Sequence, residues 1–586
     1  MARNLAFLLT ALFLAGCAGS ASNHSSLSTR PAPIVGATAS GFPHISLPTA
    51  KAVSTTYGKW EVVDSYNADF TGDMLVLKPV ASDAWPFAWA IIDLGPQNPK
   101  LHIESLFFTT QADWSAPNPP AYAWIGLSDY THGKWMWRKR DASFTTTTPT
   151  FFGDAPAGTK FFQSADPHHA YMAVVSDYNP VDFGESVGVR AVPEIHRYQP
   201  DLGYSAGQDN KFLFNSTNGT GDIVTFCPDP AQNGGVVARL DIQPDYSINW
   251  DFIPLFESGK PLAGCFRYDI DHTSTGKLAI LAAGQSPASI IRYITESTPA
   301  GTFNLPETVA DASDFLPPTY DDPQLALALD SSDNAHIVYA DNSNSLRYVF
   351  KIVTAWFTSG PGYTQCTHDL DIAVNNSDMI VCFRNNETTQ TALGIGSYPA
   401  SNASDPWDPK YQVYFDPSKN SGNFNSMRIG PGNRVYIAQY VAKPSGPGSG
   451  GLSGLVANYN ESGVLASAWT SESVDPGKDV ASGDKYVAGP HCSLGLLRDG
   501  TPVIAYQCQD SITSKYSLHM AVGSTVNGGP GWYEFIVDDD PAPNTLGVNT
   551  AVDVKPGTGS NPDLIGVAYG STTGAQSKLR FAVIVW

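Results

Sequence analysis

Apolar and polar residues alternate in short strand–turn–strand units along the last two-thirds of this 586-residue chain. The clearest unit joins the strand Leu325-Ala-Leu-Ala-Leu-Asp330 through a polar turn to the strand His336-Ile-Val-Tyr-Ala340. Alternation with a period of two, bounded by turn residues, predicts antiparallel hairpins. Related units recur at a loosely regular spacing, beginning near Phe212, Phe266, Leu325, Leu370, Met427, Leu494 and Val552.

A unit of this size cannot bury its own apolar face, so the copies must pack against one another. For four-stranded antiparallel units the usual arrangement is a β-propeller. Seven units predict seven blades over residues 194–586, with six or eight blades as the alternatives. The last unit contains only three strand patterns. We therefore expect a strand near residues 197–205 to complete it, because an unpaired edge would otherwise be exposed.

Residues 50–193 lack the repeat. Alternating segments separated by Pro- and Gly-containing loops predict a β-sandwich there, and the chain as a whole is expected to be all-β. Trp135 and Trp137 stand two positions apart on a predicted strand and therefore share a face. They either form a flat surface on which sugar rings stack or fill the core between the sheets. Their hairpin, residues 124–137, resembles Gly-Leu-Ser-Asp-Tyr…Gly-x-Trp-x-Trp units found in accessory domains of bacterial surface proteins.

The repeat resembles the Ala-Leu-Asp-x-x-Gly-x-x-His-Ile-Ala-Tyr type of bacterial sialidase-like (BNR-type) propellers, most clearly at residues 325–340 and 493–506. The resemblance implies the propeller fold but no single activity, because propellers host hydrolases, lyases, ligand binders and scaffolds. Sialidases carry Asp-boxes of the form Ser-x-Asp-x-Gly-x-x-Trp. The stretch 473–480 has the Ser, Asp and Gly of that motif but places Val480 where Trp belongs.

Residues 1–17 have the pattern of a secretory signal peptide, with an apolar run too short to span a bilayer. The sequence Leu-Ala-Gly-Cys at its end resembles the bacterial lipobox, which implies lipid attachment at Cys17. Ala18 in the next position favours the outer membrane by resemblance to Gram-negative sorting rules. Residues 18–49, rich in Ser, Ala, Thr and Pro, are predicted to be a flexible tether. We therefore expect a lipid-anchored protein that faces the periplasm or the cell surface.

The net charge of −21, with few lysines, excludes nucleic acid as an expected partner, since an acidic surface repels phosphate backbones. We expect a monomer. Besides Cys17 there are six cysteines, an even number for an exported chain, and they predict three disulfides. Six buried thiols are the alternative. The predicted pairs are Cys227–Cys265, Cys366–Cys382 and Cys492–Cys508.

Polar residues stand where the innermost propeller strands would begin. Because equivalent positions of different blades converge on the central channel, their side chains could meet there. Such a group could hold a divalent cation such as calcium or perform acid–base chemistry, and a hydrated channel mouth is the alternative. No cofactor is predicted, and no motif identifies a catalytic or metal-binding residue. The residues are Asp209, Asp321, Asp322, His368, Asp369, Asn425, His491 and Asn549.

These features favour a non-catalytic recognition or scaffolding module for glycan or protein ligands at the cell surface. The alternative is a glycan hydrolase or lyase that acts at the channel mouth.

Overall fold

The computed structural model describes residues 45–48 and most of the chain from Thr55 to Trp586. The predicted signal peptide, Cys17 and nearly all of the tether lie outside the described residues. Further along, the description omits 81–86, 97–101, 113–121, 142–149, 152–159, 164–167, 184–187, 229–233, 285–289, 312–324, 359–365, 386–391, 400–410, 415–419, 443–453, 478–485 and 524–531, with shorter gaps between these.

The described residues form antiparallel β-strands and one short 3₁₀ helix, Pro431–Asn433, which confirms the all-β class. Val, Ile, Tyr, Phe and Ala dominate the strands, as expected for pleated surfaces that are buried on at least one face. In the described part of the chain, no helix is long and apolar enough to cross a membrane. The described residues form two compact units, one up to Glu194 together with Trp586, and the other Ile195–Val585.

The first unit contains a six-stranded sheet of order β1-β2-β5-β11-β8-β9, a four-stranded sheet β3-β4-β12-β7 and a three-stranded sheet β10-β6-β13. The strands are β1 Thr55–Tyr57, β2 Trp60–Tyr66, β3 Ala68–Thr71, β4 Met74–Leu77, β5 Phe87–Pro96, β6 His102–Phe107, β7 Thr110–Ala112, β8 Tyr122–Asp129, β9 Lys134–Asp141, β10 Thr150–Phe151, β11 His169–Asp177, β12 Val181–Phe183 and β13 Gly188–Val192.

The six-stranded sheet is buried on both faces. Along β5, Ala88, Ala90 and Ile92 point into one apolar cluster, whereas Trp89 and Ile91 point into another. Because successive side chains of a strand alternate between faces, two separate cores form on the two sides of this sheet.

Besides one two-stranded hairpin, the described part of the second unit contains seven sheets of four or five strands. The strands of this unit begin with β14 Glu194–Tyr198, which joins the last sheet. The first sheet consists of β15 Asn210–Phe214, β16 Gly221–Cys227, β17 Gly234–Ile242 and β18 Ile248–Pro254, and the small hairpin of β19 Phe256–Glu257 and β20 Lys260–Pro261 follows it. The second sheet consists of β21 Cys265–His272, β22 Leu278–Gly284, β23 Ile290–Thr295 and β24 Glu307–Ala310. The third consists of β25 Leu325–Leu329, β26 Ala335–Ala340, β27 Leu346–Ile352 and β28 Ala355–Thr358.

The remaining four sheets repeat this organisation. The fourth sheet consists of β29 Cys366–Asn375, β30 Asp378–Asn385, β31 Ala392–Pro399 and β32 Tyr411–Tyr414, and the fifth of β33 Asn420–Ile429, β34 Val435–Ala442, β35 Gly454–Asn460 and β36 Thr470–Asp475. The sixth sheet consists of β37 Tyr486–Ala488, β38 Ser493–Leu496, β39 Pro502–Asp510, β40 Tyr516–Gly523 and β41 Trp532–Asp538. The seventh contains β42 Thr545–Lys555, β43 Leu564–Thr573 and β44 Gln576–Val585.

We call β15, β21, β25, β29, β33, β38 and β42 the first strands of the seven sheets, although β37 precedes β38 in the sixth sheet and β14 joins the seventh from earlier in the chain. Each contacts the first strand of the next sheet, and β42 contacts β15, so the first strands form a closed cycle. Between neighbouring sheets lie separate apolar clusters. For example, Val338 of the third sheet packs with Leu370 and Val381 of the fourth. The sheets are therefore held together mainly by the burial of the faces that they turn toward each other.

Side-chain oxygens on or beside one first strand also accept backbone N–H groups of its neighbour, at distances of 2.7–3.1 Å. We call these contacts the inter-sheet links. The link from β42 back to β15 closes the cycle. The pairs are Asp209 with Tyr268, Asp269 with Leu327, Asp271 with Leu329, Asp369 with Phe424, Asp371 with Met427, Ser426 with Leu494, Ser493 with Val552 and Asp553 with Phe214.

The last sheet has the order β14-β44-β43-β42, so its fourth strand comes from the segment that precedes the first sheet. The expected closing strand therefore exists, but it lies at Glu194–Tyr198 rather than at residues 197–205. The chain after it stays against β44, where the Ala206 N–H donates to the Ser577 carbonyl at 3.0 Å. Leu202 and Ala206 are buried in the core of the first and last sheets.

The predicted disulfides are not formed among the described cysteines. Cys382, Cys492 and Cys508 are buried thiols. Strand register explains this, because Cys382 stands opposite Asp371 rather than Cys366, and Cys508 stands opposite Ala488 rather than Cys492. For the third pair, Cys227–Cys265, the two residues lie in different sheets, on β16 and β21. The spacing of sixteen residues in two of the pairs matches a hairpin, but β-bulges and turn lengths shift the register away from direct cross-strand contact.

Candidate functional site

A cavity of about 360 Å³ lies where the seven first strands converge, and each of them contributes to its wall. Leu, Ile, Val and Ala side chains alternate in this wall with polar ones. Its polar and charged residues are Asp209, Asn210, Lys211, Arg267, Asp269, Asp271, Asp371, Asn425, Ser426, Arg428, His491, Ser493, Asn549 and Thr550.

The cations in the cavity wall are paired with carboxylates. Lys211 Nζ lies 3.3 Å from Asp269 Oδ1, Arg267 Nη1 lies 3.1 Å from Asp209 Oδ1, and Arg428 Nη1 lies 3.8 Å from Asp371 Oδ2. Burial opposes the charge of Lys211, but the surrounding carboxylates outweigh it, so its pKa lies above the usual value. The wall therefore carries compensated charges rather than a strong field of one sign.

Asp271 has no cation paired with it at this distance in the described part of the cavity wall. Burial raises the pKa of its carboxyl to about 6, although Oδ2 accepts the Leu329 N–H and Oδ1 accepts the His272 N–H, both at 2.7 Å. Asp371 shows a raised pKa for the same first reason, which is burial, and Arg428 reduces the shift. Both carboxylates also form inter-sheet links, so their first role is to hold neighbouring strands together.

Near the beginning of the first strands, a set of polar and aromatic residues lines the cavity or is buried directly behind its wall. We call this set the collar. It consists of Asp209, Arg267, Asp369, Phe424, Asn425, His491, Asn549 and Thr550.

Direct contacts connect the collar residues of the fourth, fifth and sixth sheets. The Phe424 N–H donates to Asp369 Oδ1 at 2.8 Å, and Asn425 Nδ2 donates to the Asp369 carbonyl at 3.0 Å. The imidazole of His491 lies against the Phe424 ring, with 4.6 Å between the ring centroids. The buried thiol of Cys492 donates to the Phe424 carbonyl at 2.9 Å.

The contacts continue through the seventh sheet to the first. Thr550 Oγ1 donates to the His491 carbonyl, and Asn549 Nδ2 donates to the Gln208 carbonyl. Asn210 Nδ2 donates in turn to the Asn549 carbonyl at 3.2 Å. The collar is thus a connected set of side chains that come from sheets far apart in the sequence.

Four collar residues adopt the left-handed backbone conformation at corresponding places in four consecutive sheets. They are Asp369 (φ 54°), Phe424 (φ 52°), His491 (φ 54°) and Asn549 (φ 49°). Asp, His and Asn tolerate this conformation, but for a residue as bulky as Phe it is an outlier. Each such residue costs about 1–2 kcal/mol of backbone strain. At Asp369, Phe424 and Asn549 this conformation falls where a β-bulge shifts the strand register, and such bulges re-aim the neighbouring side chains.

His491 is a neutral hydrogen-bonding group. Burial, and secondarily the charge of Arg267, lowers the pKa of its imidazole to about 4. At neutral pH it therefore carries one donor nitrogen and one acceptor nitrogen. A base of such low pKa takes up a proton poorly, which makes it a weak general base.

The structure brings together only part of the predicted channel set. Asp209, Asn425, His491 and Asn549 line the cavity. Asp369 belongs to the collar but is buried behind the cavity wall. Asp321, Asp322 and the side chain of His368 lie outside the described residues.

Sequence reasoning missed Lys211, Asp269 and Phe424. Lys211 and Asp269 are charged residues inside first strands, and a charge inside a buried strand is a signal that could have identified them. The conformation of Phe424 leaves no local signal in the sequence, because nothing there shows the left-handed turn.

Trp135 is buried in the apolar cluster on one face of the six-stranded sheet, and only 3% of its surface is exposed. Its indole N–H donates to the Ile45 carbonyl at 2.8 Å. Trp137 is partly buried against the same cluster, and its ring covers Gly126, where a Cβ would lie 2.8 Å from the ring. The pair therefore belongs to the core, which was the alternative to a sugar-stacking surface.

No family model matches this sequence, and neither does any curated protein. Among solved structures, the chain is similar to a PL25 ulvan lyase, with a TM-score of 0.43 and 10% identity over 65% of this chain and 95% of that one. It is also similar to the BP39L lectin from Burkholderia pseudomallei (TM-score 0.38, 13% identity, 56% of this chain and 83% of that one). A third similar structure is the Hadza microbial sialidase Hz136 (TM-score 0.35, 10% identity, 84% and 95%). Similarity this distant assigns no activity to the chain.

Proposed function

We propose that the protein recognises a neutral, hydroxyl-rich ligand, such as a residue of a glycan, at the collar, and that it does so without chemical conversion. The observation that carries this proposal is the combination of a neutral imidazole, side-chain amides and an aromatic ring around one cavity. A cavity of about 360 Å³ falls within the range of small-molecule sites.

The proposal includes a seven-bladed propeller for residues 195–585 and a sandwich for the preceding unit. The closed cycle of first strands and the link from Asp553 to the Phe214 N–H support the propeller. In a propeller the first strands line a central channel, which is where ligands enter. By the same reading, the collar is the channel mouth.

The chemistry of the collar suits hydroxyl groups better than ions. His491 offers one donor and one acceptor, and two residues with side-chain amides, Asn425 and Asn549, line the same cavity. The Phe424 ring adds an apolar surface of the kind on which the C–H face of a sugar packs. Because the wall cations are already paired, a strongly charged ligand would gain little from them.

The same features argue against catalysis. Most glycan hydrolases use two carboxyl groups that face a common bond. Here Asp209 is paired with Arg267, and Asp369 accepts the Phe424 N–H. His491, with its low pKa, would be a poor acid or base at neutral pH.

Lipid attachment at Cys17 would place this recognition module at the bacterial outer membrane, with the tether of residues 18–49 giving it reach. The lipobox-like sequence supports this location. Mass spectrometry of protein purified from a bacterial envelope would test it, since lipidation adds acyl chains to an N-terminal cysteine.

Binding is tested by measuring glycan-array signals and then calorimetric affinity for wild-type protein and for His491→Ala and Asn549→Ala. We expect a loss of at least about tenfold in affinity for each variant, since each removes hydrogen bonds to the ligand. His132→Ala, in the first unit, is the control and should bind as wild type does.

Turnover is measured on the same ligands, as new reducing ends for a hydrolase and as unsaturated uronic acid for a lyase. Wild-type turnover that is lost in Asp369→Asn would replace recognition with the enzyme alternative. Equal binding by wild type and both collar variants would exclude the collar as the site.

A further inference from the structure

Between the fifth and sixth sheets, a carboxylate, a thiol and an imidazole meet. The ligand atoms of Asp475, Cys508 and His519 all lie within 4.8 Å of one another. Asp475 ends β36, the last strand of the fifth sheet, whereas Cys508 and His519 lie on the adjacent strands β39 and β40 of the sixth. Asp475 and Cys508 are almost fully buried.

The junction between the sixth and seventh sheets has a buried carboxylate at the corresponding place, but no thiol stands beside it among the described residues. There Asp538 ends β41, and its Oδ2 accepts the Tyr569 hydroxyl at 2.7 Å and Arg580 Nη1 at 3.0 Å. Arg580 Nε also donates to Ser571 Oγ at 3.1 Å. Arginine and tyrosine therefore satisfy the buried carboxylate at this junction, and the serine hydroxyl holds the arginine.

Strand register makes the two junctions directly comparable. Tyr506 stands opposite His519 on β39 and β40, just as Tyr569 stands opposite Arg580 on β43 and β44. Two residues further along, Cys508 occupies the position of Ser571. The tyrosine contact is kept, since the Tyr506 hydroxyl donates to Asp475 Oδ2 at 3.0 Å. The fifth–sixth junction thus has histidine where the other has arginine, and cysteine where the other has serine.

We propose that Asp475, Cys508 and His519 bind a zinc ion, which takes the place of the arginine cation at the corresponding junction. Thiolate, imidazole and carboxylate are the three protein ligands that zinc prefers. Around a tetrahedral zinc ion, neighbouring ligand atoms lie roughly 3.3–3.8 Å apart, as follows from ligand distances of about 2.0–2.3 Å. Cys508 Sγ and Asp475 Oδ2 are 3.9 Å apart, so small side-chain rotations suffice.

Neighbouring groups would orient the ligands. The Tyr506 hydroxyl holds the Asp475 carboxylate, and the Gly477 N–H donates to its other oxygen at 3.0 Å. The Ser517 hydroxyl lies 2.9 Å from His519 Nε2 and fixes the ring. Partners of this kind typically tune metal affinity 10- to 100-fold. The fourth ligand position is left for water or for Glu534, which stands opposite Ala521, two residues along β40 from His519.

The experiment uses the whole chain, stripped of metal with a chelator and titrated with zinc chloride. We expect one zinc ion per chain by elemental analysis and a rise in Tm that depends on zinc concentration. Cobalt(II) should give a thiolate-to-metal charge-transfer band, which reports Cys508 directly. In Cys508→Ser both the band and the zinc-dependent rise should disappear, and Tyr506→Phe should weaken zinc binding by about tenfold or more.

His519→Arg is the matched variant, because it reproduces the Asp538–Arg580 pairing. It should fold, keep a Tm near that of zinc-free wild type or above it, and show no response to zinc. His132→Ala, which leaves the site intact, should respond as wild type does. A zinc response that survives in both Cys508→Ser and His519→Arg would overturn the proposal, as would a Cys492–Cys508 disulfide found in the native protein by mass spectrometry.

Discussion

Replacing His491 by asparagine should remove most of the acid sensitivity that this residue gives to folding. The substitution fits the backbone, since Asn549 occupies the corresponding left-handed conformation in the next sheet, at φ 49° against 54° for His491. Asparagine tolerates this conformation, and it has no group that titrates between pH 4 and 7. The variant therefore isolates the protonation of the imidazole.

The magnitude follows from the shift in pKa. Burial lowers the pKa of His491 from 6.5 in an unfolded chain to about 4 in the folded protein. Between these values the unfolded chain binds a proton here and the folded protein does not. Stability is therefore complete above pH 6.5 and falls as the pH drops toward 4. At about 1.4 kcal/mol per pH unit, lowering the pH from 6.5 to about 4.5 should cost wild type about 2–3 kcal/mol through this residue.

The assay is urea denaturation at several pH values between 4.5 and 7.5, with the free energy of unfolding extrapolated to water. As the pH is lowered across this range, the free energy of unfolding of wild type should fall by about 2–3 kcal/mol more than that of His491→Asn. His132→Asn leaves His491 in place and should follow wild type. If His491→Asn loses stability on acidification as steeply as wild type does, then the imidazole is not kept neutral by burial and the reasoning about the collar fails.

Three further changes test other parts of the structure. Asp271→Asn should stabilise the protein at pH 7 by up to about 3 kcal/mol, because the wild-type carboxyl has a pKa of about 6 in the folded protein and 3.8 in the unfolded chain, so wild type loses stability as the pH rises through this window. In melting curves the variant should be more stable than wild type at pH 7 and equal to it at pH 3.5. Asp553→Ala should lower the free energy of unfolding by about 1–3 kcal/mol, because it leaves the Phe214 N–H without its acceptor. In urea denaturation the exposed control Asp245→Ala should be as stable as wild type. Equal stability of the two variants would contradict a stabilising link between the last and first sheets. Trp135→Ala should lower the free energy of unfolding, measured by calorimetry, by about 3–5 kcal/mol, because the ring is buried. Below its melting temperature the variant should bind glycan as tightly as wild type does. A loss of affinity without a loss of stability would show that Trp135 contacts the ligand.

The alternation of apolar and polar residues predicted much of the second unit. The hairpin beginning at Leu325 is β25 and β26, and the unit near Val552 falls within β42 and β43. Such patterns are readable because one buried face imposes a period of two on every strand. The missing strand of the last sheet was also predictable, although the observed β14 begins three residues earlier than expected.

Side-chain chemistry between sheets was not predictable in the same way. The cysteine pairs failed because bulges shift the register, as where Cys382 faces Asp371. The group of Asp475, Cys508 and His519 leaves no motif, since its members come from two sheets and only their cross-strand positions bring them together. Asp209 and His491 could be placed at the cavity because they directly precede first strands. The neutral state of His491 depends on burial, which the sequence does not reveal.

The pairing of β14 with β44 has a consequence for the order of folding. The first strand of this unit to be synthesised hydrogen-bonds to the last one, so this contact spans almost the whole unit. Contacts of such long sequence separation form slowly, because a large loop must close before they give any stabilisation. Until then the edge of β44 is open to pairing with another chain. The earlier sheets can form while the chain is still being made, but ring closure must wait until the final residues are available.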